Sequence, residues 1–392
     1  MRVAEARAIR ATIQRAGSSK GIYLLENDLP QDPALREKVI LAIFGSPDKR
    51  QIDGLGGADP LTSKVAIVGP SKRDGIDVDY TFGQVAFDQA RVHTHAICGN
   101  ISSGVGPFAI DQGLVDAVEP VTTVKIYNTN TQKVFIAQVP VKDGRAAIEG
   151  DYEIAGVPGT GAKVTLDFSD TAGALSGKLL PTGNVIDTIE LNENEKLTVS
   201  IVDAATCQVF VRAEDLGLTG TETPQEIDSQ PDLLKKLETI RCIAATMAGL
   251  AESPETAAIE SRNTPHIVFF SESKEYTNYL TQEKIYDSEI DIVARAMFMQ
   301  IMHKTYAGTG SICTSVAASI PGTIIYEAVK KSAISNQLVR IGHPAGVMPV
   351  EVEIEHDGKE YKLKKAAIGR TSRRIMDGYV YIRNSLFKGG AS

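Results

Sequence analysis

Cys98, followed by Gly99-Asn100-Ile101-Ser102-Ser103, is the residue best placed to do chemistry in this chain. The glycine and small residues after it read as the start of a helix with little side-chain bulk. A helix N-terminus presents unpaired N–H groups and a partial positive charge. Such a place holds a carboxylate and favours the thiolate form of a cysteine beside it. A thiolate next to a bound carboxylate is a base for the proton alpha to that carboxylate. The plain alternative is a buried, inert thiol, the commoner fate of a free cysteine. Gly99 and Asn100 favour the functional role for Cys98. Cys313, followed by Thr314-Ser315, is more evenly balanced because its helix is more apolar.

Lys64 begins an otherwise apolar strand. It is either a solvated strand end or a cation pointing into a cleft, where it would offset the charge of an enolate-like intermediate. Ser18 and Ser19, between Gly17 and Lys20, offer hydroxyls to carboxylate oxygens or simply make a turn. His303 contacts substrate or sits satisfied in the interior. His93 and His95 share one face of a strand by period-two spacing. Two histidines without a third ligand do not make a metal site, and Cys98, Cys207, Cys242 and Cys313 contain no CxxC pair. The loop Asp53-Gly54-Leu55-Gly56-Gly57 could bring backbone close to a ligand. It matches neither GxxxxGK[ST] nor GxGxxG, and no GxSxG elbow occurs. Neither a metal site nor a phosphate-binding loop is therefore expected.

The elements that would hold these residues occur twice. Thr62-Ser63-Lys64-Val65-Ala66-Ile67-Val68 matches Thr264-Pro265-His266-Ile267-Val268-Phe269-Phe270, 202 residues later (62 to 264). Both read as short buried strands entered from a turn. An amphipathic helix precedes each, over Pro33 to Phe44 with Asp32 as N-cap and Gly45 after it, and over Pro231 to Leu250. Ile22-Tyr23 through Asp28-Leu29 resembles Val209-Phe210 through Asp215-Leu216. Asp77-Val78-Asp79 resembles Glu289-Ile290-Asp291, and Cys98-Gly99-Asn100 resembles Cys313-Thr314-Ser315, 215 residues later (98 to 313). The common order, with growing offset, is what loop insertions between two related halves would leave. The joint is expected near Leu180-Pro181-Thr182-Gly183-Asn184, giving domains 1–185 and 186–392 with the active site in the cleft. Gly99 to Gly106 carry little side-chain bulk, so this helix suits the inside of a curved sheet, with a kink or early end at Pro107.

At 392 residues the chain exceeds the size of one core. A net charge of −8, no basic run and no aromatic–basic alternation argue against nucleic acid. No apolar run approaches the ~18 residues of a membrane span, and residues 1–16 contain no signal-like apolar stretch. A cytoplasmic location is expected, with the tail Lys388–Ser392 unstructured or appended.

Several blocks resemble the methylaconitate/3-methylitaconate isomerase family. They include Arg15-Ala16-Gly17-Ser18-Ser19-Lys20-Gly21, Gln51 to Gly57, Leu61-Thr62-Ser63-Lys64-Val65, Cys98 to Ser102 and Gly106-Pro107-Phe108-Ala109-Ile110. Gly156 to Gly161, Gly177 to Gly183 and Arg340-Ile341-Gly342-His343-Pro344-Ala345-Gly346 extend the likeness over nearly the whole chain. The resemblance implies an α/β (α+β) diaminopimelate-epimerase-like fold, two similar domains each wrapping a sheet around a central helix. It implies an isomerase without metal or organic cofactor that shifts a double bond in a small carboxylic acid such as 3-methylitaconate, 2-methylaconitate or 4-oxalomesaconate. It maps the catalytic lysine and cysteine onto Lys64 and Cys98, and serine and histidine contacts onto Ser19 and His303. It also implies a homo-oligomer. Ala16 and Ser18 stand where the family usually has glycine and threonine, which leaves the choice of substrate open.

The expectation is a 1,3-proton shift with Cys98 and Lys64 as catalytic groups. Gly99, Asn100, Ser18, Ser19, His303, Cys313 and Thr314 would bind substrate. One rival is a two-base epimerase or racemase using Cys98 and Cys313. The other is a non-catalytic carboxylate-binding protein.

Overall fold

The structure is a computed structural model that describes residues 5–94, 97–193 and 195–387. His95 and the tail Lys388–Ser392 lie outside the described residues. The repeat legible in the sequence is visible in the strand pairing. In the first half, Ala6–Ala16 pairs antiparallel with Ser19–Leu25, which runs parallel to Lys64–Pro70. Lys64–Pro70 is antiparallel to Val78–Val85, which is parallel to Val121–Asn128. Antiparallel partners Lys133–Lys142 and Val164–Asp167 complete the series. The second half repeats the same alternation through Glu195–Ala204, Thr206–Arg212, His266–Glu272, Ile292–Phe298, Leu338–His343, Gly346–His356 and Tyr361–Arg370.

The halves are joined along their edges. Val164–Asp167 pairs with Tyr361–Arg370, and Ser372–Arg383 returns to pair with Ala6–Ala16. The final strand thus closes the half that contains the first one. Ile382 joins Ile9, Ile22 and Leu24 in the same apolar cluster.

Under the outer helices the strands Lys64–Pro70, Thr206–Arg212 and His266–Glu272 are buried on both faces and mostly apolar, whereas Val121–Asn128 and Lys133–Lys142 alternate buried and exposed residues. Successive side chains still go to opposite faces. From the strand at Lys64, Val65 and Ile67 pack outward on the helix Pro33–Phe44, while Ala66 and Val68 face the inner core. Ile267 and Phe269 likewise pack outward beside Leu237 and Ile240 of the helix Pro231–Met247, and Val268 and Phe270 face inward. The first outer helix is closed as its sequence dictates. The Leu35 N–H donates to the Asp32 carboxylate at 2.7 Å, and Gly45 ends the helix at φ 73°. The second outer helix stops at Met247, three residues short of the expected end.

Inside the curved sheets lie Gly99–Ser102 with Val105–Asp111 in the first half, and Gly308–Ser319 in the second. Residues 99–102 and 105–110 are all buried. A Cβ at Gly106 would lie 2.8 Å from Val139 Cγ2, so glycine is required at that position, while Ile101, Val105, Phe108 and Ile110 fill the core around it. The break expected around Pro107 falls at Ser103–Gly104. Pro107 then occupies the first turn of the next segment, where its missing N–H has no intrahelical partner to lose.

Candidate active site

The inner helices meet end to end between the halves. Cys98 caps the segment starting at Gly99, and Ala307 caps the helix starting at Gly308. A Cβ on Gly99 would lie 2.6 Å from the Thr309 amide nitrogen and 2.8 Å from the Gly308 carbonyl carbon. The unpaired first-turn N–H groups of both segments therefore converge on one place. Their partial positive charges add there.

A cavity of about 20 Å³ lies at this junction, with Cys98, Lys64, Ser19, Asn100, His266 and His303 among its walls. That volume holds one or two waters. Cys98 is half-buried. Its carbonyl accepts from the Ser102 N–H and hydroxyl at 2.8 and 2.9 Å, anchoring the turn behind the thiol.

Strand alternation turns Lys64 to the inner face with Ala66 and Val68, so it is not a solvated strand end. It is 3% exposed. Its ammonium donates to Gln84 Oε1 at 2.7 Å and sits over the Phe298 and Phe82 rings at 5.0 and 5.5 Å. Gln84 is fixed in turn by donating to the carbonyls of Pro60 and Ser63. Burial lowers the Lys64 pKa, while Cys98 and Asp59 oppose that shift. A buried lysine beside a thiol is brought towards the range in which proton transfer is efficient.

His303 lies on the same cavity. Its Nδ1 accepts from the Thr305 N–H at 3.1 Å, which assigns the neutral ring's proton to Nε2. Burial, then Lys64, lowers its pKa to about 3. His266 was not singled out as a site residue, yet it lines the cavity as the counterpart of Lys64, first on its strand and turned inward. Burial and Lys64 lower its pKa to about 4. Phe298 stands edge-on to both imidazoles. The sequence signal for His266 was the 202-residue match itself, which aligns it with Lys64.

Ser18 and Ser19 are bridged by Asn100, whose amide donates to their hydroxyl oxygens at 3.1 and 3.5 Å. Ser18 also shares a 3.0 Å hydrogen bond with Thr305 from the other half. The structure thus brings together Lys64, Cys98, Gly99, Asn100, Ser19 and His303, with Ser18 adjoining.

Cys313 and Thr314 are elsewhere. Cys313 does not precede its helix but sits in the helix's second turn, fully buried, donating to the Val202 carbonyl at 3.2 Å. Burial raises its pKa well above that of a free thiol. Thr314 donates to Gln208 Oε1 at 2.9 Å and pairs with the Tyr306 hydroxyl at 2.8 Å. Neither lines the cavity. The residue opposite Cys98 is Ala307, which carries no base, so the facing-cysteine arrangement is not formed. The glycine-rich loop approaches a helix end rather than the cavity: a Cβ on Gly54 would lie 2.1 Å from the Gly45 nitrogen. Among the described residues no three His, Cys, Asp or Glu side chains converge as a metal would require. No helix among them is long and apolar enough to cross a membrane.

Residues 6–383 match the family described as PrpF protein. A 3-methylitaconate isomerase from Eubacterium barkeri is 53% identical over 377 residues, 96% of this chain and 98% of that protein. A 4-oxalomesaconate tautomerase from Pseudomonas putida is 38% identical over 381 residues, 97% of this chain and 98% of that protein. The crystal structure of a methylitaconate-delta-isomerase superimposes with a TM-score of 0.83 at 51% identity, covering 99% of each chain. A hydroxyproline epimerase from Agrobacterium vitis shares the fold alone, with a TM-score of 0.56 at 14% identity and coverage of 98% and 96%. The architecture is the epimerase-like α/β fold.

Proposed function

This chain belongs to the PrpF protein family, and we propose that it isomerises 3-methylitaconate to 2,3-dimethylmaleate by a 1,3-proton shift. The observation that carries the reading is that Cys98 and the buried Lys64 line one cavity, at the meeting of two helix N-termini. The 53% identity to a 3-methylitaconate isomerase favours this acid over the oxalomesaconate alternative.

Cys98, as thiolate, takes the proton from the carbon that bears both the methyl group and a carboxylate. The electron pair left behind delocalises into that carboxylate and the adjacent double bond. Lys64 and the helix N-termini hold the developing negative charge in a site with little water. A proton returns to the terminal methylene carbon from Cys98 or Lys64, making a methyl group and placing the double bond between the two carboxylate-bearing carbons. One proton leaves and one arrives, so no electrons are exchanged with a cofactor. One carboxylate rests on the N–H groups at Gly99 and Asn100, the other near Ser18 and Ser19. Neutral His303, with its proton on Nε2, is a donor that adds no positive charge to compete with Lys64. A cytoplasmic setting and a homo-oligomeric state belong to the same reading.

The test is turnover of 3-methylitaconate by the wild type, Cys98→Ser and Lys64→Ala. Loss of activity in both variants with retained folding supports the scheme. A fully active Cys98→Ser protein removes the thiol from it.

A further inference from the structure

Arg370 ends the strand Tyr361–Arg370 and is 3% exposed. Its Nη1 donates to the Gly369 carbonyl at 2.8 Å, its Nη2 to the Met348 thioether at 2.8 Å, and its Nε to Asn100 Oδ1 at 3.3 Å. Among the described residues it has no carboxylate partner. The other buried arginines are better satisfied. Arg241 is paired with Glu238. Arg295 also has no carboxylate in an ion pair with it among the described residues, but it donates to three backbone carbonyls and lies over the Tyr276 ring, whereas one of the three acceptors of Arg370 is a weak thioether. A buried cation without an anion is costly unless an anion arrives in use. Burial lowers the Arg370 pKa to about 10, which leaves it charged at neutral pH.

The neighbour it holds is part of the cavity wall. With Asn100 Oδ1 facing the guanidinium, the amide N–H groups face Ser18 and Ser19. An acceptor role towards the Asn100 amide leaves the Ser19 hydroxyl hydrogen free to donate, whereas the Ser18 hydroxyl is shared with Thr305. The seat for this amide is built into the chain. Gly17 sits at φ +53°, and a Cβ there would lie 2.2 Å from Asn100 Oδ1. A dicarboxylate carries two negative charges, and Lys64 is the cation on the cavity wall. A second positive charge is needed near the serines, and Arg370 is behind them.

We infer that Arg370 is the buried counter-charge for the substrate's second carboxylate, acting through Asn100 on the hydroxyls of Ser18 and Ser19. It is a positioning residue, and the inference rests on the dicarboxylate reading above. The test compares wild type, Arg370→Lys and Arg370→Gln at fixed ionic strength. The readouts are kcat and KM for 3-methylitaconate, calorimetric Kd for itaconate, and the thermal midpoint. Loss of one charge-assisted contact predicts that Arg370→Gln raises KM and Kd roughly 10–100-fold, with a much smaller change in kcat. Arg370→Lys keeps the charge and recovers most of that loss. An unchanged KM and Kd in folded Arg370→Gln overturns the inference, as does an equal rise in Arg370→Lys. If Arg370→Gln does not fold, Arg370→Met decides, because it removes the charge while keeping an unbranched side chain beside Met348. A raised Kd supports the inference and an unchanged Kd overturns it. A wild type that binds itaconate but leaves 3-methylitaconate unchanged sinks the isomerase reading while the titration still reads Arg370. One that does neither overturns both.

Discussion

Replacing Gly99 with alanine probes whether the meeting of the two inner helices sets the site. The new methyl would lie 2.6 Å from Thr309 N and 2.8 Å from Gly308 C, where ordinary contact begins at 3.4 Å. The shortfall is about 0.8 Å (3.4 minus 2.6), and both neighbours are backbone of a buried helix, so neither can rotate away. Either the halves separate or the turn after Cys98 tips, and both outcomes move the thiol relative to Lys64. A misplacement approaching 1 Å costs about 10²-fold in rate, equivalent to about 2.7 kcal/mol of barrier. Overpacking of this kind also costs about 1–3 kcal/mol of stability. The assay is kcat for 3-methylitaconate beside a thermal melt. A folded Gly99→Ala enzyme with kcat within about twofold of wild type would refute the claim that this contact positions the chemistry, given the expected 10²-fold loss.

Lys64→Met removes the cation on the cavity wall. Two unit charges in contact at an effective dielectric of ~20 interact by roughly 4 kcal/mol, so kcat is expected to fall by up to about 10³-fold. In the same variant the His266 and His303 pKa values should rise, because Lys64 helps to hold both down; imidazole proton shifts followed by NMR across pH check this. Cys313→Ala should melt earlier by the ~1 kcal/mol of a small buried cavity while keeping wild-type kcat; a loss as large as that of Cys98→Ser would restore a two-cysteine mechanism. The histidines also set an acid limit. Their folded pKa values, about 4 and about 3, lie below the ordinary 6.5, so the unfolded chain binds more protons between those values. Their contribution is complete above pH ~6.5 and is lost as pH falls towards 4 and 3. Denaturant midpoints measured from pH 7 to 4 should fall, and more shallowly in His266→Gln.

The repeat was legible because buried strands keep their residue types. The match of Thr62–Val68 to Thr264–Phe270 is correct to the residue, placing Lys64 and His266 at equivalent strand starts. The cysteine match was not. It followed residue type, whereas the structural equivalent of Cys98 is Ala307, six residues before Cys313. A helix start in such small, polar residues has no capping side chain to mark it. Cys98, Lys64, Ser19 and Asn100 could be found from local context, since each sits where a strand or helix begins; His303, just after the strand Ile301–Met302, was carried by the family resemblance. The return of Ser372–Arg383 to Ala6–Ala16 could not, because pairing across more than 350 residues leaves no local pattern. Arg370 was hidden for the same reason: Asn100, which it holds, is 270 residues away.

Proton NMR of 3-methylitaconate in D2O with the wild type and Cys98→Ser tests the central claim most directly. The account predicts that the wild type moves the double bond, with the methylene signals giving way to those of a new methyl group. It predicts no such change with folded Cys98→Ser. Migration at the wild-type rate in Cys98→Ser, or deuterium entry without migration in the wild type, would contradict it.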